Sequence, residues 1–126
     1  MTFPEDCKYT TDHEWVRVEG NIGIIGVTDH AQGELGDVVY LDIADDVTDV
    51  EKGGAFGTIE AVKTVADLFS PVTGKVVEVN RGLNDAPETV NKDPYGGGWI
   101  IKVELANPAD LDELMDVNTY KELVGH

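Results

Sequence analysis

Lys63 is the residue of this chain best placed to do chemistry. It lies in Gly57-Thr58-Ile59-Glu60-Ala61-Val62-Lys63-Thr64-Val65-Ala66-Asp67-Leu68-Phe69, between two β-rich runs with room only for a very short connection. The nearest cations in sequence, Lys52 and Lys75, fall outside the hairpin. The chain holds only 9 Lys and Arg against 25 Asp and Glu, so Lys63 is an isolated amine on an acidic surface. A lysine at a rigid tip suits an enzyme that must select one amine by its position. The plainer reading is a solvated turn lysine, the usual fate of an exposed Lys.

Other reactive constellations are absent from the sequence pattern. His13, His30 and His126 are far apart in the chain, and no pair has metal-ligand spacing with a Cys or carboxylate cluster. There is no G-x-S-x-G elbow and no nucleophile with an obvious base. Gly96-Gly97-Gly98 lacks the helix start and lysine of a phosphate cradle and reads as a flexible turn. The single Cys7 excludes an intramolecular disulfide and reads as a passive thiol. The expectation is a chain without a catalytic site of its own.

The elements that must position Lys63 are strands. Period-two alternation predicts a strand ending at Ala61, a second over 65–69, a Pro/Gly turn over 70–74 and a third strand over 75–80. Residues 13–27 read as a hairpin turning at Gly20-Asn21, with Trp15 or its neighbours inward. Thr28 is a plausible N-cap for a short helix near 29–34, ended by Gly36-Asp37. Val38 to Ile43 is a further strand. Residues 44–54, with Asp45, Asp46, Asp49 and Glu51, form an acidic loop with a possible short strand over 47–50. Residues 81–98 read as a loop anchored by Leu83 and Val90, and 99–105 as a clear strand. Asn107, Pro108 and Asp110 open a terminal helix whose Leu111, Leu114 and Met115 would face a sheet, and Asn118 caps a second short helix. Residues 1–8 read as a loose lead-in. A faint internal echo, G-x-V-V-x-aliphatic, links 36–41 to 74–79.

At 126 residues the expectation is one domain, 1–126, able to bury a core without metal or disulfide support. A net charge of −16 argues against nucleic-acid and anionic-membrane partners and favours basic partner surfaces. There is no apolar run of membrane-spanning length. Met1 to Asp6 carries neither a basic region nor an apolar signal core, which predicts no secretory signal and a cytoplasmic protein of bacterial or archaeal type.

The ordered blocks His13-Glu14-Trp15-Val16, Gly26-Val27-Thr28-Asp29-His30-Ala31-Gln32, Leu35-Gly36-Asp37, Glu60-Ala61-Val62-Lys63, Asp67, Ser70 to Asn80, Asp93-Pro94-Tyr95 and Gly98 to Lys102 resemble the glycine cleavage system H-protein family, from Tyr9 to about Tyr120. The resemblance implies a mainly β fold, a flattened β-barrel/sandwich hybrid of the lipoyl-domain type with short helices, including a C-terminal helical segment. It implies a non-catalytic carrier with lipoate covalently on Lys63. A pyridoxal-phosphate glycine decarboxylase loads an aminomethyl group on the arm. A tetrahydrofolate-dependent aminomethyltransferase unloads it, and dihydrolipoyl dehydrogenase reoxidises the dithiol. By the same resemblance Glu60 helps the lipoylating enzyme read the hairpin, and Glu14 and Asp67 line the cleft for the cationic arm. Their plainer readings are strand polarity and ordinary surface carboxylates.

Of four other readings, the residues around Lys63 argue against the first two. Biotin acceptors generally place Met on both sides of the lysine, where this chain has Val62 and Thr64. Lipoyl domains of 2-oxoacid dehydrogenases tend to have Asp before the lysine and to sit in longer chains. A protein that only relays lipoate, and an unmodified acidic scaffold, are not separated by sequence.

Overall fold

The computed structural model describes residues 2–44 and 46–125. Met1, Asp45 and His126, which enter the sequence reading in the lead-in, the acidic loop and the histidine search, lie outside the described residues. Among the described residues nine strands run in chain order: β1 (Cys7–Tyr9), β2 (Glu14–Glu19), β3 (Ile22–Val27), β4 (Val38–Ile43), β5 (Asp49–Val50), β6 (Ala55–Ala61), β7 (Val65–Phe69), β8 (Gly74–Val79) and β9 (Ile101–Leu105). They form a six-stranded sheet, ordered β1-β2-β3-β9-β8-β5, and a three-stranded sheet, ordered β4-β6-β7. All pairings are antiparallel. Val16, Ile25 and Val103 of the larger sheet and Leu41, Ile59 and Leu68 of the smaller belong to one buried cluster. The fold is mainly β, as the resemblance implied. The two sheets share a core as a sandwich does, and they do not close into a barrel.

Three bulges break the alternation that sequence suggests. The β6–β7 register shifts between Ala55 and Gly57, which lets Phe56 turn inward out of phase with Ile59 and Ala61. The β4–β6 register shifts between Val38 and Tyr40, and the β8–β9 register between Val76 and Glu78. The extra residues, Val39 and Val77, are 51% and 48% exposed. They are the second valines of the two G-x-V-V-x-aliphatic segments. The echo is therefore structural as well: both copies bulge at the same position.

Helix α1 (Asp29–Leu35) follows β3, and its cap is the expected one: Thr28 Oγ1 accepts from Ala31 N. Three other expectations change. Residues 81–98 contain a 3-10 turn (Arg81–Asn84) and the single-turn α2 (Thr89–Lys92), each sinking the foreseen anchor, Leu83 or Val90. Residues 108–113 form a 3-10 helix, so Leu111, Leu114 and Met115 do not share an α-helical stripe. Leu111 and Leu114 pack on the main core, whereas Met115 is extended and bridges Tyr9. The last helix, α3 (Val117–Val124), is capped by Asp116, whose Oδ1 accepts from Thr119 N; Asn118 lies inside it.

The lead-in is held. Phe3, Cys7, Tyr9, Trp15, Ile24 and Tyr120 form a second buried cluster in which the Tyr9 and Tyr120 rings stack at 4.6 Å. Cys7 is buried there, and burial followed by the Asp6 charge pushes its thiol up to about 12, which fits a passive residue. No helix among the described residues is long and apolar enough to cross a membrane.

Candidate functional site: a pinned lysine tip beside an acid-rimmed cleft

Strands β6 and β7 are joined by Val62-Lys63-Thr64, closed by Ala61 N donating to Thr64 O at 2.9 Å. The connection is too short to bury either valine beside it, and Val62 and Val65 are 71% and 61% exposed. The tip does not stand alone. Val62 N donates to Asp37 O at 3.0 Å and Lys63 N to Leu35 O at 3.2 Å, which pins the hairpin to the end of α1. Gly36, between them, has φ +79, a left-handed value suited to glycine. A Cβ there would lie 3.2 Å from Lys63 Cγ and 3.5 Å from Cδ and Cε, so the lysine stem rests across Gly36. Lys63 is exposed, and its Nζ donates to Gly33 O at 3.3 Å.

Asn91 supports this connection from below. Its Oδ1 accepts from Val38 N, and its Nδ2 donates to Gly36 O and to Gln32 Oε1. One side chain of α2 thus satisfies backbone groups on both sides of Asp37. In sequence Asn91 was one more polar residue of a loop.

A cleft of about 310 Å³ opens beside the tip. Its floor is apolar, with Val27, Ala31, Leu35, Ile59 and Leu68. Its rim carries Asp12, Glu34 and Asp67, with His13 and Thr64, and the buried Glu14 also lines it. Asp67 is exposed on β7, opposite Thr58. Glu60 is exposed on β6, next to Tyr40 on one neighbouring strand and Val65 on the other, and so lies outside the cleft. The structure brings Glu14 and Asp67 to one cleft and leaves Glu60 outside it, between Tyr40 and Val65.

Glu14 departs from the surface carboxylate of its plainer reading. It is only 3% exposed. Its Oε2 accepts from Phe69 N at 3.0 Å and its Oε1 from Thr10 Oγ1 at 3.3 Å. Through Phe69 it ties β2 of the larger sheet to β7 of the smaller. Burial raises its pKa from 4.5 to about 8, against the lowering effect of the Phe69 bond; Asp12 raises it further and Thr10 lowers it. Between those pH values the native carboxyl keeps a proton that the unfolded chain has lost. The stability this group contributes is thus fully present below about pH 4.5 and is lost as pH rises through about 8. Urea midpoints from pH 5 to 9 should fall further for the wild type than for Glu14→Gln. A gap between them that is constant with pH would contradict the burial argument.

The chain around this site also has close counterparts among known proteins. The family model for the glycine cleavage H-protein matches residues 7–126. The chain belongs to that family. It is 55% identical to a glycine cleavage system H protein of Bacteroides fragilis, over 99% of each chain. It is 54% identical to one from Symbiobacterium thermophilum, over 93% of this chain and 91% of that one. The crystal structure of a glycine cleavage system H protein from Mycobacterium marinum superposes with a TM-score of 0.89 at 35% identity, covering 98% of this chain and all of the other. H-protein is the lipoyl carrier of the glycine cleavage system, so a carrier function is the one this chain serves.

Within this family fold, two blocks far apart in sequence meet behind the cleft. Trp15 Nε1 donates to Val27 O at 3.0 Å and to Pro94 O at 3.1 Å. Tyr95 Oη accepts from Asp29 N and donates to Thr2 O. The Asp93-Pro94-Tyr95 turn therefore braces both Trp15 and the start of α1. Sequence spacing missed one grouping altogether: His13, His30 and Glu34 offer ligand atoms within 4.8 Å of one another.

Proposed function

We propose that this H-protein family member carries lipoate in amide linkage on Lys63 and houses the loaded arm in the cleft beside it. The observation that carries the reading is the pinned hairpin tip at the mouth of a cleft with an apolar floor and an acidic rim. Bound there, lipoate supplies a disulfide that opens to take a carbon unit on one sulfur and a proton on the other.

The chain's own residues supply the mount and the shelter. Backbone bonds from Val62 and Lys63 hold the attachment point. Val27, Ile59 and Leu68 offer apolar surface to an aliphatic arm. An ammonium brought into the cleft meets Asp67 and Glu14. A neighbouring cation lowers the pKa of a carboxyl, so its arrival makes Glu14 release its proton to solvent and leaves a carboxylate–ammonium pair. Glu60, flanked by Tyr40 and the exposed Val65, offers the lipoylating enzyme a polar group set among apolar ones. On this reading the chain is a single carrier domain, catalyses no step itself and acts in the cytoplasm. Its partners are glycine decarboxylase, aminomethyltransferase, dihydrolipoyl dehydrogenase and the lipoylating enzyme.

Intact mass and peptide mapping of protein from its own source test the attachment. A lipoyl or octanoyl mass on the Lys63 peptide supports it. A biotin mass, or an unmodified lysine in cells that lipoylate other proteins, overturns it. The cleft assignment has a separate check. Glu14→Gln and Asp67→Asn should each speed release of the loaded arm while leaving lipoylation intact, and unchanged release kinetics would remove both residues from the role.

A further inference from the structure

Three potential metal ligands, from a turn and a helix far apart in the chain, converge beside the cleft. His13 sits at the end of the turn before β2, and His30 and Glu34 are one helical turn apart on α1. Their ligand atoms lie within 4.8 Å of one another, and His30 Nε2 is already 3.2 Å from Glu34 Oε1. Ligands at zinc distances, roughly 2.0–2.2 Å from the ion, are about 3.3 Å apart along a tetrahedral edge. The His30–Glu34 pair already spans such an edge. His13 must close by a distance that rotation of the exposed Glu34 and the half-buried His30 can supply.

His13 is prepared for this role in two ways. Its backbone is held at φ +66, the one left-handed non-glycine value among the described residues, and its carbonyl accepts from Thr28 N. Its Nδ1 is 2.8 Å from Tyr120 Oη, which is 2.8 Å from Thr28 Oγ1. In one arrangement of these protons Nδ1–H donates to Tyr120 and Tyr120 donates to Thr28. That arrangement leaves His13 Nε2 with its lone pair free. Ligating histidines are held by such an outer partner on the second nitrogen.

We propose that His13, His30 and Glu34 form a binding site for one divalent transition-metal ion of the zinc class, open to solvent at its fourth position, on the rim of the lysine-side cleft. The ligand set, two imidazoles and one carboxylate, matches that class and not calcium or magnesium, which take oxygen. An ion there sets positive charge beside Asp12 and Glu14 and occupies one wall of the cleft mouth.

The inference does not depend on lipoate, so the test uses full-length protein with Lys63 unmodified. Zinc chloride is titrated calorimetrically at pH 7.5, with magnesium chloride as the control for loose binding to the acidic surface. One zinc equivalent is expected, weakened at least tenfold in His30→Ala and in Glu34→Gln. Tyr120→Phe, which keeps the ring and removes only the outer partner, should weaken it about tenfold. In long-range nitrogen–proton spectra of the histidines, zinc should move His13 and His30 and leave His126 in place. No zinc binding, or zinc binding of unchanged affinity in His30→Ala and Glu34→Gln, overturns the site. So does a zinc response confined to His126.

Discussion

Lys63→Arg should leave a folded protein that accepts no lipoate and supports no glycine cleavage. Guanidinium preserves the positive charge but cannot form the lipoyl amide. The fold has little stake in the amine: Lys63 is exposed, and Nζ makes one 3.3 Å contact, to Gly33 O. The bonds that pin the tip come from the backbones of Val62 and Lys63 and survive the change. A surface substitution of this kind shifts stability by no more than about 0.5 kcal/mol. Thermal midpoint, intact mass and glycine decarboxylation should therefore separate cleanly, with the first unchanged and the other two at background. Activity retained by the purified variant would end the tether reading. A fallen midpoint would show that the side chain carries structure that its contacts do not reveal.

The second large effect is on stability. Trp15→Ala should cost about 3–5 kcal/mol, the range for truncating a buried aromatic. Trp15 is fully buried, and its ring crosses Gly26 on the paired strand, where an added Cβ would stand 2.8 Å from three ring atoms. Its Nε1 bonds Val27 O and Pro94 O, and Arg17 lies over the ring at 5.1 Å. Truncation opens a cavity, frees two buried carbonyls and loosens the brace between β2 and the 93–95 turn. Trp15→Phe keeps most of the apolar contact and loses the hydrogen bonds, so it should cost clearly less. Urea unfolding of both variants checks the order. Equal costs would place the effect in the hydrogen bonds, and a Trp15→Ala cost under about 1 kcal/mol would refute the packing argument.

Most strands were legible because alternation and turn residues act locally. The hairpin over 13–27, the strand–turn–strand around Lys63 and the Thr28 cap follow from residues within a few positions of one another. Where structure departs from local pattern, the cause is tertiary. Leu111, Leu114 and Met115 have helical spacing, but a 3-10 turn sends Met115 away to pair with Tyr9. Phe56 points inward because a bulge slips the register by one, and no pattern in the strand announces it. Val90 and Leu83 anchor 81–98 as their apolar character suggests, while the short helical turns that sink them are too brief to leave a periodic signal.

The site divides the same way. The amino-acid order already places one lysine at the tip of a short hairpin on an acidic chain, because strand periodicity and charge count are properties of order and composition. Its blocks also carried the family resemblance. Tertiary structure alone decided what surrounds that lysine. It set the stem on Gly36, buried Glu14 between two sheets, placed Asp67 in the same cleft and brought His13 to His30 and Glu34. The physical reason is that burial and proximity come from packing two sheets and a helix together. That packing joins residues 55 positions apart in the bond from Phe69 to Glu14 and 107 apart in the contact between His13 and Tyr120, which no local pattern encodes.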